Sequence, residues 1–124
     1  MSGSSGKIDL MEMAGLRDSH DLLLARAQAG DPVAQFNMGV KCAEGQGVPQ
    51  DFLQAARWYS AAADQGDASA QFNLGLMFYQ GHGLERNLAY ACELFRAAAH
   101  QGDLRARRGL EAVLQELDPR EREA

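Results

Sequence analysis

Gln65 to His100 reads QGDASAQFNLGLMFYQGHGLERNLAYACELFRAAAH, and the chain on both sides of it repeats the pattern. Thirty-six positions earlier, Ala29 to Asp64 reads AGDPVAQFNMGVKCAEGQGVPQDFLQAARWYSAAAD. After it, Gln101 onward reads QGDLRARRGLEAVLQELD. Gly30, Gly66 and Gly102 fall in register, as do Asp31, Asp67 and Asp103, and Ala34, Ala70 and Ala106. Self-similarity at a fixed period of this size marks a solenoid, in which each unit buries its apolar face against the next.

Start and stop signals divide each unit into two helices. Asp31 precedes Pro32, as an N-cap precedes proline at the first helical position. The first helix is expected to run to about Glu44. The turn Glu44–Val48 (EGQGV) and its counterpart Gln80–Leu84 (QGHGL) supply glycines at the helix end, where positive φ is needed. Asp51 caps the second helix, with Gln54 placed for a capping box, and Asn87 is its counterpart. That helix carries Ala55, Trp58, Tyr59 and Ala62 at i, i+3, i+4, i+7, and the next carries Ala91, Leu94, Phe95 and Ala98. These helices are expected to end at Gly66 and Gly102. Gly39 and Gly75 lie inside first helices, where glycine costs about 1 kcal/mol relative to alanine. Recurrence at one repeat position implies close helix contact, with Trp58 or Tyr59 entering at Gly39.

Taken in order, residues 1–15 read as an expression leader (MSGSSG) and an N-terminal arm. Residues 16–30 read as a half-repeat helix, 31–66 and 67–102 as two full repeats, 103–118 as a C-terminal capping helix, and 119–124 as a fraying tail. In the last helix Arg107, Arg108 and Glu111 stand where Gln71, Phe72 and Gly75 stood, as suits a wetter terminal face.

Composition is consistent with one run of stacked repeats in 124 residues, 46% apolar and 23% charged. A net charge of −5 argues against general nucleic-acid affinity. No run approaches the ~20 apolar residues of a membrane span. Cys42 and Cys92 occupy different repeat positions and have no metal-ligand spacing. Two free, buried thiols are expected, which favours a reducing compartment such as the cytoplasm, although a signal could have preceded the leader.

The combination A-x-x-x-L/M-G, G-x-G-V/L, A-x-x-W/L-Y/F-x-x-A-A and Q-G-D resembles the Sel1-like repeat, a relative of the tetratricopeptide repeat. The likeness spans Ala29 to His100 fully and the flanks in part. It implies an all-α, right-handed α-α superhelix of about six helices, acting as a protein-binding adaptor or scaffold. By analogy with the tetratricopeptide unit, first helices line the inner face. The groove positions are then Val33, Phe36, Asn37, Val40, Ala43 and Glu44 in the first repeat. They are Ser69, Phe72, Asn73, Leu76, Tyr79 and Gln80 in the second, and Arg105, Arg108, Ala112 and Gln115 in the last helix. An apolar strip would end at a basic patch, where Arg105 or Arg108 meets a carboxylate of a bound peptide or helix. The alternative for each position is structural: inter-repeat core for Phe36 and Phe72, bonding within the repeat for Asn37 and Asn73, solubility for the arginines. Self-association through Leu22 to Leu24 or the last helix, giving a homodimer, is a second function. A cysteine-rich branch of the family has been associated with β-lactam binding or hydrolysis, but this chain lacks that branch's paired cysteines.

Chemistry beyond binding has little support. The triplets Gly45–Gly47 and Gly81–Gly83 follow helices and lack a third glycine, unlike a dinucleotide fingerprint. His82 reads as a loop residue, and His20 and His100 as helix-end residues. No nucleophile, base and orienting group fall in a hydrolase pattern, so no enzyme activity, metal or cofactor is expected.

Overall fold

The computed structural model describes residues 19–117, and the expected leader, arm and tail lie outside them. So do Leu16 to Asp18, the expected start of the first helix. The described residues form six α-helices and no strand. These are α1 (Ser19–Gln28), α2 (Pro32–Glu44), α3 (Phe52–Asp64), α4 (Ala68–Gln80), α5 (Leu88–His100) and α6 (Leu104–Leu117). Each helix packs on the next in the chain, and α4 also touches α6.

Local chemistry sets the helix ends. The Asp31 carboxylate accepts from the amides of Val33 and Ala34, Asp67 from Ala70, Asp51 from Gln54 and Asn87 from Tyr90. Each satisfies an amide that the first turn leaves without a helical partner. Gly45 and Gly81 close α2 and α4 in the left-handed region, at φ +73° and +71°. Their amides donate to Lys41 and Met77, both at 2.8 Å. The loop then folds back identically in both units: Asp51 N donates to Cys42 O at 2.8 Å, and Asn87 N to Phe78 O at 3.0 Å. Thirty-six residues separate each partner from its counterpart, so the backbone repeats as the sequence does.

The second helices stop two residues before the expected glycine, at Asp64 and His100. The glycine follows the cap, at φ +93° in Gly66 and +99° in Gly102. It lets the next amide reach five residues back, Asp67 N to Ala62 O and Asp103 N to Ala98 O, both at 3.2 Å. This is the Schellman arrangement. Q-G-D therefore ends one helix and caps the next within three residues.

Packing follows the small residues. Ala55, Ala62, Ala91 and Ala98 are wholly buried, so helix backbones approach closely. Tyr59, not Trp58, enters at Gly39: a β-carbon there would lie 2.5 Å from its Cδ1 and Cε1. Phe95 lies between two glycines, Gly75 on α4 and Gly109 on α6, each with room for no β-carbon beyond 2.9 Å from the ring. Trp58 is only half-buried, although it follows the helical period. Cys42 and Cys92 are buried and free, as expected. Burial, and then the charge of Asp51, push the Cys42 thiol above its ordinary value.

A glutamine pair joins each repeat to the next. Gln65 Nε2 donates to Gly30 O and to Gln35 Oε1, both at 2.9 Å, while Gln35 Nε2 donates to Ala27 O at 3.1 Å. One period on, Gln101 Nε2 donates to Gly66 O at 2.9 Å and to Gln71 Oε1 at 3.0 Å, and Gln71 Nε2 to Ala63 O at 3.4 Å. Gln35 and Gln71 are buried, and their amides need these partners because an unpaired buried polar group is costly.

Candidate functional site

The expected groove positions lie on α2, α4 and α6, and they divide between two apolar clusters. Phe36 and Val40 pack on the cluster built around α2 and α3, with the Phe36 ring 5.7 Å from that of Tyr59. Phe72, Leu76 and Tyr79 pack on the cluster around Phe95, whose ring lies 5.8 Å from Phe72 and 6.5 Å from Tyr79. All five are half-buried, with part of each side chain in contact with solvent. Val33 and Asn37 are exposed and Ser69 is half-buried.

Polar groups on this face are partly engaged. Asn73 Nδ2 donates to Tyr59 Oη at 3.3 Å, across the two repeats. Its carbonyl oxygen and second N–H retain bonding capacity. Arg105 lies over the Phe72 ring at 4.4 Å and pairs with Asp103 at 2.8 Å. The Arg105 hydrogen bond holds the Asp103 carboxyl below its ordinary value, and the guanidinium is raised in return. Arg108 is exposed and makes no ion pair among the described residues.

The C-terminal edge of the face carries a network that sequence reading missed. Tyr79 Oη donates to Glu116 Oε2 at 2.5 Å, and Arg86 Nη2 pairs with Glu116 Oε1 at 2.8 Å. Arg86 Nε also donates to Tyr79 O at 2.7 Å. The hydrogen bond to the carboxylate raises the Tyr79 hydroxyl above its ordinary value and lowers that of Glu116. Sequence carries a faint signal for one part. Gln50, one period before Arg86, donates to Ala43 O, one period before Tyr79.

Between the repeats a depression of about 170 Å³ opens among Ala43, Phe52, Tyr59, Asn73, Leu76, Met77, Gln80 and His82. The His82 ring in that lining lies 5.2 Å from the Phe52 ring, tilted by 32°. Of the expected site residues, the depression brings together Asn73 and Leu76, with Ala43 and Gln80 beside them. Its lining is mostly apolar and includes the amides of Asn73 and Gln80, a composition suited to holding an apolar side chain and an adjoining polar backbone. Among the described residues no cluster of three or more His, Cys, Asp or Glu has metal-binding geometry. No described helix is long and apolar enough to cross a membrane.

Helical hairpins repeated every 36 residues and stapled turn to turn define a helical-repeat solenoid. The Sel1 repeat profile matches residues 32–67 and 68–103, more than half of the chain, which belongs to the Sel1 repeat family. Two solved structures are similar. One is a protective antigen present in uropathogenic Escherichia coli strains that displays an SLR fold, at 35% identity and TM-score 0.75 over 77% of this chain. The other is a Sel1 repeat protein from Oxalobacter formigenes, at 38% identity and TM-score 0.72 over 73% of this chain. The matches span 21% and 26% of those proteins, so the chain corresponds to a small part of each. No curated protein matches the chain by sequence. Sel1 repeats are typically protein-interaction modules, and proteins built from them are generally non-catalytic scaffolds.

Proposed function

We propose that this chain is a protein-binding adaptor that docks a peptide or helix of a partner on the face formed by α2, α4 and α6. The observation that carries the reading is the depression between the repeats, lined by Leu76 and Met77 together with Asn73 and Gln80. An apolar side chain of the partner occupies it. Asn73 bonds the adjoining backbone. Val33, Phe36, Asn37 and Val40 extend the contact along α2, and Ser69, Phe72 and Tyr79 along α4. Arg108 receives a carboxylate ahead of Arg105, because Asp103 already occupies the Arg105 guanidinium. Binding needs no metal or cofactor.

The test is selection of peptides from a displayed library on the purified chain, followed by mapping of the best binder through amide shift changes in nuclear magnetic resonance. Shifts are expected at Asn73, Leu76 and Gln80. Leu76→Glu should weaken binding by about tenfold or more, as loss of a buried anchor does. Arg108→Glu should weaken acidic peptides selectively. Peptides that map to another face, or that bind both variants as tightly as the parent, would refute the reading.

A further inference from the structure

A cavity of about 480 Å³ opens among α1, α2, the loop after α2 and the start of α3, and it shares no lining residue with the depression between the repeats. Its volume falls within the range of ligand pockets, about 300–1,000 Å³. Leu24, Met38, Cys42 and Trp58 contribute apolar surface, and Asp51 is the one Asp, Glu, Lys or Arg in the lining. The second repeat shows what fits such a place. One period on, Phe78 stands for Cys42 and Tyr90 for Gln54, another lining residue. The backbone around both places is alike, since Asp51 N bonds Cys42 O as Asn87 N bonds Phe78 O. The Phe78 and Tyr90 rings meet edge to face, 4.8 Å between centroids, and Phe78 packs on both apolar clusters. The second repeat thus fills with two of its own rings a position that the first leaves to a thiol and an amide. The first repeat also carries the indole of Trp58 where the second has Leu94.

We infer that this cavity binds a small aromatic amine, whose ring takes the place filled by Phe78 and Tyr90 one repeat on and lies against Trp58, and whose ammonium meets the Asp51 carboxylate. The ring is selected by the filled counterpart in the second repeat. The positive charge is selected by Asp51. Its Oδ1 accepts from Gln54 N at 3.1 Å, and among the described residues it makes no ion pair. A carboxylate offers about four acceptor positions, so the cap leaves capacity for a ligand N–H. The charge of Asp51 also reaches the Cys42 thiol, which makes the cavity electronegative. The spacing suits a ligand with both groups. Trp58 follows Asp51 by seven residues on α3, about 10 Å along the axis. Helical side chains lean back toward the N-terminus, which brings the indole nearer the carboxylate. An aromatic acid would meet Asp51 with the wrong sign, and an alkylamine would leave the apolar lining uncovered.

Trp58 is the only tryptophan in the chain, so its fluorescence reports on the cavity directly. Tyramine should change that fluorescence with a Kd below about 1 mM. Two probes lack one of its groups: 4-hydroxyphenylacetate carries the same ring on a carboxylate, and butylamine has no ring. Each should bind at least about tenfold more weakly. Asp51→Asn removes the charge and keeps a cap, since Asn87 caps the counterpart helix. It should weaken tyramine about tenfold and remove the preference over 4-hydroxyphenylacetate. Cys42→Phe with Gln54→Tyr writes the rings of the second repeat into the first. That variant should lose the response to tyramine with an unchanged helical circular dichroism spectrum. A parent chain silent to tyramine up to about 10 mM, with the cavity left to residues 1–18 or to a partner's side chain, overturns the inference. So does a response that survives the filled variant, or a tyramine affinity that Asp51→Asn leaves unchanged.

Discussion

Replacing Gly39 by alanine tests the packing that holds each hairpin together. On a solvent-facing helix the change would stabilise by about 1 kcal/mol, because glycine is the poorer helix former. In α2 the added methyl lands 2.5 Å from Cδ1 and Cε1 of Tyr59 and 3.0 Å from Cζ. The first two distances are about 1 Å inside the usual carbon–carbon contact. Tyr59 is only 3% exposed, holds Asn73 through its hydroxyl and packs on Phe36. The ring cannot swing away without giving up those contacts, so α2 and α3 must part. Overpacking of this kind costs about 1–3 kcal/mol and more at hard contacts. A 2.5 Å contact belongs at the upper end of that range, about 2–3 kcal/mol, and against the propensity gain of about 1 kcal/mol the expected net loss is about 1–2 kcal/mol, or roughly 4–10 °C in Tm for a chain of this size. Urea unfolding followed by far-UV circular dichroism measures it. The same substitution in a Tyr59→Leu background, where the ring is gone, should cost much less. The coupling between the two sites isolates the steric term. Gly75→Ala, with its nearest ring atoms at 2.9 Å, should cost less than Gly39→Ala. A Gly39→Ala protein as stable as the parent, or a penalty equal in both backgrounds, would refute the packing argument.

The inter-repeat glutamines and the Tyr79–Glu116 pair give two further tests. Gln101→Ala removes the hydrogen bonds to Gly66 O and Gln71 Oε1 and should destabilise by about 1–2 kcal/mol. Adding Gln71→Ala should cost less than the sum of the single changes, and strict additivity in urea unfolding would show that the pair does not act as a unit. For Glu116, whose carboxyl is lowered in the folded chain, the stabilising contribution is present at neutral pH and fades as pH falls through that lowered value. The raised Tyr79 hydroxyl behaves oppositely: its contribution holds below the ordinary tyrosine value and is lost as pH rises past it. In Glu116→Ala, ultraviolet titration should show one tyrosine ionising at lower pH than in the parent. An unchanged titration curve would contradict the hydrogen bond.

Much of the architecture was legible from residue order because its causes are short-range. Asp31 and Asp67 cap helices through amides two or three residues away, and Gly45 and Gly81 end them through their own φ. Gly39 announced a close approach, since interior glycine has a cost that only packing offsets. The site was less legible. Asn73 and Leu76 share the depression between repeats, but Phe36 and Phe72 belong to different apolar clusters, a division that period alone does not reveal. Gln35, Gln65, Gln71 and Gln101 recur in register, yet a recurring glutamine reads as surface until its partner thirty residues on is known to stand beside it. Gly109 falls at the repeat position of Asn37 and Asn73, so its role against Phe95 was hidden.

Residue order by itself determined the 36-residue period, the two-helix unit, the caps at Asp31, Asp51, Asp67 and Asn87 and the glycine ends of the first helices, because capping and glycine geometry act within a turn of backbone. Tertiary structure alone decided which of two adjacent aromatics enters at Gly39, that Arg105 covers Phe72, and that Glu116 reaches Tyr79. Those outcomes depend on how each helix is rotated about its axis when it packs. That rotation is set by the combined fit of all its neighbours and is carried by no single residue.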